Sequence, residues 1–468
     1  MNRYYTLIIM LLAGVTASRS QDMSPQKILL DTLPETWQYE IAYTQTTPTD
    51  DNWWKRFDDP TLDRLIKEAV ENNYNVRAAQ KRINSAAQMS RATKSGYYPT
   101  LGVTAGYSME RMPGAISNPV TRSNNESYFS LGLTMNWEID LFGRIQAQLK
   151  SDKANYEATV AEYDATMVSL VSNVAKAYFQ LRLAQAQLDI AQKNVTNYEE
   201  LLHIAQTRYD VGLSPAVDVV QARIVVEQTK ASMPSLKADI STYINEISTL
   251  LGVYPDKLQY LENYGTLVDA PEPGNVGNPE SLLRRRPDIV EAEKQLAMYA
   301  AKIGIAKKDF LPTLSLSAGV ATEGHKLNEL FGKNSLNFTV MPTLSWTIFD
   351  GMARNAQLAE ARYDFEAEID SYNLTVMTAI EEVNNAMVSW QSVSEQLVYD
   401  EMILKDAKRV LELQTDRYRQ GLNDFTDVAS AETTVLTYEN SVAACKASKL
   451  AALVTLYTAL GGGWEEGK

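Results

Sequence analysis

The residues able to do chemistry are few and badly spaced for it. The two histidines, His203 and His325, lie far apart in the chain and show no metal-ligand spacing. Cys445 is the sole cysteine, so neither a thiolate metal site nor an intrachain disulfide can form. HExxH, GxSxG and phosphate-loop motifs are absent, and Gly324 and Gly332-Lys333 do not meet the phosphate-loop spacing. Carboxylates are plentiful, but on long helical patterns they read as solvated faces. Catalytic residues, cofactors and metals are therefore not expected. What does recur is a group of arginine, tyrosine and aspartate around a glycine. Arg208–Val219 reads RYDVGLSPAVDV and Arg417–Val428 reads RYRQGLNDFTDV. Carboxylates near arginine and tyrosine can hold a constriction by hydrogen bonds, and repeated by symmetry they form cation-attracting rings. The candidates are Asp210 and Asp218 in the first copy and Asp424 and Asp427 in the second. Arg208, Tyr209, Arg417 and Tyr418 are their nearby partners. A plainer role stands beside this one: Asp218, Asp424 and Asp427 cap helix starts and complement the positive dipole end.

Each motif interrupts a long helical pattern. Gly212 and Gly421 suit the left-handed residue that ends a helix, Ser214-Pro215 reads as an N-cap plus first-turn proline, and Asn423 or Asp424 can cap the second copy. Both motifs are thus expected to be tips of helical hairpins. The incoming run from about Gly143 to Val211 lacks proline, and Val171, Val174, Tyr178, Leu181, Leu188, Ala191 and Val195 form a coiled-coil seam. At 1.5 Å per residue it reaches on the order of 100 Å. The outgoing run, Val217 to Leu251, contains Pro234, where a kink is expected. A second proline-free run from about Met352 to Gln420 leads to the second tip, and a last helix ends at Leu460-Gly461.

Elsewhere the period changes to two. Strands are expected at about 97–111 and 127–138, with Val103, Tyr107, Leu131 and Leu133 on one face and Thr104, Gly106, Gly132 and Thr134 on the other. A second pair is expected at about 310–322 and 336–348, the last with Phe338, Val340, Leu344, Trp346 and Ile348 on its apolar face. The motifs repeat at one offset: Gly421 − Gly212, Trp346 − Trp137 and Gly461 − Gly252 each give 209. The chain is therefore organised as a signal peptide (1–20), an extended lead-in (21–58), a first repeat (59–254), a Pro/Gly linker (255–279), a second repeat (280–463) and a short tail (464–468).

The signal is inferred from Arg3, the short apolar run Tyr5–Val15 and the small residues after it. The formal charge of −14, interspersed along the chain, argues against a nucleic-acid partner. Strands with one apolar and one small-polar face fit a barrel wall between lipid and a wet lumen, although an ordinary soluble sheet shows the same alternation. One chain supplies only four strands, too few for a barrel, and open edges in lipid cost several kcal/mol per unpaired group. Copies must pool strands. Two would build an eight-stranded barrel filled by its own side chains, whereas three build an open tube of twelve. The expected fold is mainly α: a long coiled-coil helical barrel carrying a shared twelve-stranded membrane β-barrel, with an internal two-fold repeat.

LLRRRPDI (Leu282–Ile289), WEIDLFGR (Trp137–Arg144), FLPTLSLSAG from Phe310 and the paired RY-x-x-GL tips resemble the TolC-like outer membrane factors, in particular the NodT-type subgroup. The resemblance spans nearly the whole mature chain. It implies a homotrimer in the outer membrane of a Gram-negative-type bacterium, reaching into the periplasm. Its partners would be a periplasmic adaptor protein and an inner-membrane pump of the resistance–nodulation–division kind, and its cargo small molecules such as drugs, toxic compounds or metals. Asp218 and Asp427 match a position where the family places a gate aspartate, while Ser430 stands where a second one occurs. Gly212, Leu213, Gly421 and Leu422 are the candidates for adaptor contact. Members of the subgroup include lipoproteins, but no cysteine follows this signal. A type I protein or peptide secretion duct shares the architecture, and a soluble periplasmic coiled-coil adaptor shares the hairpins.

Overall fold

The computed structural model describes residues 34, 36–39, 52–112, 124–263, 265, 267–280 and 285–462. The expected signal, most of the lead-in, the loop after the first strand, the LLR (282–284) of the central motif and the tail lie outside the described residues. Helices α1 (Pro60–Asn72) and α2 (Tyr74–Ser95) open the chain. Strands β1 (Thr100–Met112) and β2 (Asn124–Ile139) follow, then helices α3 (Arg144–Asp210) and α4 (Ala216–Leu251). The second half repeats the order with α5 (Pro287–Lys308), β3 (Thr313–Gly324), β4 (Leu336–Ser345), α6 (Ala353–Arg419) and α7 (Phe425–Ala459).

Helices α3 and α6 each run 67 residues and start 209 apart (353 − 144). That length corresponds to about 100 Å. Each pairs with the helix that follows it, and an ion pair pins each hairpin at the same level. Lys230 meets Glu199 at 2.7 Å in the first hairpin, and Lys408 meets Glu439 at 2.7 Å in the second. These are the same two positions with the charges exchanged (199 + 209 = 408; 230 + 209 = 439). Pro234 lies inside α4, whose assignment runs unbroken to Leu251.

The strands form one antiparallel sheet in the order β1-β2-β3-β4. Its register carries the apolar face across all four: Val103 opposes Leu133, Leu133 opposes Val320, and Val320 opposes Phe338. One residue over, Thr104, Gly132, Ala321 and Asn337 make an equally continuous small-polar row. A Cβ on Gly132 would sit 3.2 Å from the Thr104 hydroxyl, so a side chain at that position would crowd its neighbour. Among the described residues β1 and β4 each leave one edge unpaired.

The strand limits differ from expectation at several ends: β1 starts at Thr100 rather than about 97, β2 at Asn124 rather than about 127, β3 at Thr313 rather than about 310, and β4 stops at Ser345 rather than about 348. Trp346 and Ile348 lie beyond β4, because the β3–β4 ladder ends at the Thr313–Ser345 pair, where Pro312 precedes β3 and has no N–H to extend it. Trp346 instead donates its indole N–H to the Phe310 carbonyl at 3.0 Å, as Trp137 does to the Tyr97 carbonyl at 3.1 Å.

A belt about midway along the long helices holds the main core. There Trp53 stacks on Tyr457 with centroids 5.4 Å apart, Phe57 meets Phe179 edge-on, and Tyr178, Leu181, Ile247 and Leu251 are buried around them. Arg286, 8% exposed, precedes α5 and binds Asp288 (2.6 Å), Glu382 of α6 (2.7 Å) and the Ala459 carbonyl of α7 (3.0 Å). Its acidic partners thus both belong to the second half rather than bridging the two halves. Cys445 is buried on α7, a small packed residue. By composition α7 is apolar enough to cross a bilayer, but 56% of that window is buried within the protein, as a core helix requires.

Candidate functional site

Both hairpins end as the glycines demand. Gly212 has φ +75° and Gly421 φ +74°. Leu213 N–H returns to the Arg208 carbonyl at 2.8 Å, and Leu422 N–H to the Arg417 carbonyl at 2.9 Å, which satisfies the last orphan carbonyls of α3 and α6. The leucine after each glycine is left outward, 67% exposed at Leu213 and 63% at Leu422. The expected N-caps do not form. Pro215 occupies the cap position of α4, while the Ser214 hydroxyl is buried against Tyr418, so a tertiary neighbour displaces the local cap. Asp424 takes the cap position of α7 without a side-chain bond to the helix, and Asn423 reaches back to Gln414 instead.

Within one chain the two tips are joined by a compact cluster of Leu201, Ala205, Val219, Ala222, Tyr418, Phe425 and Val428. Tyr418 is its centre. The ring lies edge-on to Phe425 at 5.5 Å, and the Arg208 guanidinium sits 4.9 Å from its centroid. Its hydroxyl donates to Asp218 Oδ2 at 3.3 Å. Arg208 also donates to the Arg419 carbonyl at 3.1 Å, crossing from the first hairpin to the second. Burial pushes the Asp218 carboxyl pKa up; the Tyr418 hydrogen bond pulls it back, Asp424 raises it further and Arg208 lowers it. Asp218, Arg208 and Tyr418 therefore form one site across the hairpins. The other candidates stand outside it. Tyr209 is 45% exposed, Asp210 accepts from Gln206 at 2.8 Å, and Arg417, Asp424 and Asp427 are exposed.

One residue here was not foreseen. Glu432 on α7 is 2% exposed, faces α3, and has an Oε2 with no hydrogen-bond partner. Burial pushes its pKa up to about 8. Tyr198 of α3 donates to its backbone carbonyl at 3.4 Å. The available signal was spacing, since Val428, Glu432 and Val435 lie four and three residues apart on one apolar stripe.

The comparisons with known proteins agree with one another. The outer membrane efflux protein family model matches residues 65–253 and 278–462. The cation efflux system protein CusC of Escherichia coli O157:H7 is 29% identical over 442 residues, covering 93% of this chain and 94% of that protein. The solvent efflux pump outer membrane protein SrpC of Pseudomonas putida is 31% identical over 409 residues, covering 87% of this chain and 86% of that protein. The solved structure of the outer-membrane channel OprN superposes with a TM-score of 0.85 at 31% identity, covering 92% of this chain and 97% of that one.

Proposed function

The chain belongs to the outer membrane efflux protein family and resides in the outer membrane, and from that premise we propose that three copies assemble into one passive efflux duct. The observation that carries this is the sheet. Four strands share a largely apolar face and a largely small-polar face, and among the described residues both outer edges lack a partner. Hydrocarbon tolerates no such edges, and closure with two more copies yields a twelve-stranded wall around a wet lumen. Below it, the three pairs of hairpins continue the tube into the periplasm. Outer membrane residence removes the soluble adaptor reading. The cargo is small molecules, since relatives across nearly the whole chain are named for cation and solvent efflux. A periplasmic adaptor engages Gly212-Leu213 and Gly421-Leu422 and couples the duct to an inner-membrane pump of the resistance–nodulation–division kind.

The gate lies at the tips. Asp218 bound to Tyr418 holds the second hairpin against the first, and exposed Asp424 and Asp427 become carboxylate rings under threefold symmetry. Opening is a two-state separation of hairpins, biased by whatever binds the open tips better. Asp218→Ala combined with Asp427→Ala is expected to raise single-channel conductance of the purified protein in planar bilayers. Conductance equal to the unaltered channel would refute the gate.

A further inference from the structure

We propose that Tyr209, Arg417 and Asp427 are the two halves of a second Arg–Tyr–Asp latch, each completed by the neighbouring copy of the chain. The inference rests on the trimer proposed above and specifies the register in which its copies meet.

One latch is complete within a single chain. The first hairpin gives Arg208 and Asp218, and the second gives Tyr418, 1% exposed between them. The chain repeats at an offset of 209, visible in the equal lengths of α3 and α6 and in the exchanged ion pairs Glu199–Lys230 and Lys408–Glu439. Shifting each latch residue by that offset turns Arg208 into Arg417, Asp218 into Asp427 and Tyr418 into Tyr209. All three chemical types are retained. Their placement is reversed. On the second hairpin the tyrosine is inward and the arginine and aspartate are exposed; on the first, the arginine and aspartate are inward and the tyrosine is 45% exposed. One chain therefore presents an unfilled Arg/Asp half on one hairpin and an unused tyrosine on the other.

A ring of alternating hairpins joins these halves. A head-to-tail contact that closes after three copies places the second hairpin of one chain beside the first hairpin of the next. In that register Tyr209 of the neighbour reaches Asp427, and Arg417 covers its ring. Charge favours the match further. The carbonyl that Arg208 reaches belongs to Arg419, whose repeat equivalent is Asp210, so Arg417 meets an acidic residue where Arg208 meets a basic one. One departure weakens the apolar part: Ala216 stands where Phe425 packs on Tyr418. The between-copy latch thus depends more on its polar contacts than the within-chain latch does.

Crosslinking of the full-length chain in detergent micelles tests this. In a Cys445→Ser background, Tyr209→Cys with Asp427→Cys is treated with a short bis-maleimide. The expected result is a shift of the denatured band from one chain to two and three chains. Tyr418→Cys with Asp218→Cys should crosslink at the mass of a single chain. Native mass spectrometry of the same samples separates the two ways of failing. Intact trimers whose denatured mass stays at one chain overturn the latch alone, and absence of trimers overturns the trimer and the latch together. A second pair of variants guards against local misfolding. Arg417→Glu should lower the thermal midpoint of trimer dissociation, and Arg417→Glu with Asp210→Arg should restore it; no restoration counts against the register.

Discussion

Glu432→Gln should stabilise the protein at neutral pH and remove most of its pH dependence in the range where the buried acid titrates. The carboxyl is 2% exposed, and burial raises its pKa from 4.5 to about 8. Desolvation by burial is the cause of that shift. A raised carboxyl pKa means that the folded state holds a proton the unfolded chain has released. The associated stability is complete below 4.5 and is lost progressively as pH climbs to about 8. Each pH unit in that window costs about 1.4 kcal/mol, so at pH 7 the cost is on the order of 3 kcal/mol. Glutamine keeps the shape without the proton uptake, but its amide hydrogens need acceptors in a site with an unpartnered oxygen. The net gain expected at pH 7 is therefore about 1–3 kcal/mol. The assay is the thermal midpoint of helical circular dichroism from pH 5 to pH 9 for both forms. The unaltered protein should lose stability steadily up to about pH 8 and the variant should stay nearly level, so the two curves should cross on the acidic side of neutrality. Equal slopes for the two forms would refute the reasoning.

Arg286→Ala removes a buried guanidinium that joins the start of α5 to α6 and to the last turn of α7. Asp288 and Glu382 are themselves 39% and 49% exposed, so water can take over their solvation, and a loss of about 2–3 kcal/mol in chemical unfolding is expected. On the sheet, Leu133→Arg puts a cation in the apolar row and should cost about 2–4 kcal/mol in the membrane, read as a lower yield of heat-resistant trimer. Thr134→Arg, one residue over on the small-polar row, should assemble normally and reduce cation conductance. Equal assembly defects in both variants would show that the lipid-facing side is misassigned.

Much of the fold was legible because its two periods are unambiguous. Alternation from Leu101 to Met109 and from Phe129 to Trp137 puts Val103 and Leu133 each on an apolar face, and the register sets them opposite one another. The glycine tips were legible because positive φ leaves few alternatives. The failures share a cause, which is that local pattern is blind to a distant partner. Alternation continued through Trp346 and Ile348, but no strand lies opposite them. Ser214 had the right type to cap α4, but it is buried against Tyr418 instead. Above all, Asp218 and Asp427 hold matching places six residues after matching glycines, yet one is 5% exposed and the other is open to solvent. Matching local sequence could not separate them, because the difference lies in the tertiary neighbour: Tyr418 packs over Asp218, whereas Asp427 is exposed.

The distribution of buried polar groups indicates which part of the molecule is able to move. The mid-level belt is sealed by Trp53, Phe57, Tyr178, Phe179 and Tyr457, large rings in mutual contact. Below it the four long helices bury Ala191, Ala407, Ala443 and Val226, along with Asn194, Thr229, Asp400 and Glu432. Alanine offers little apolar area, and buried polar groups repay only part of their desolvation. Asn194 reaches Glu439 at 2.9 Å and Ser441 reaches Asp400 at 2.8 Å, contacts that water can replace when the helices part. Packing of this kind places the lower hairpins at the low-stability end of the molecule, where local opening precedes global unfolding. In the gating proposed above, the belt would be the hinge line: it lies between the tips and the sheet, so tips released from the Tyr418–Asp218 contact would swing without disturbing the strands.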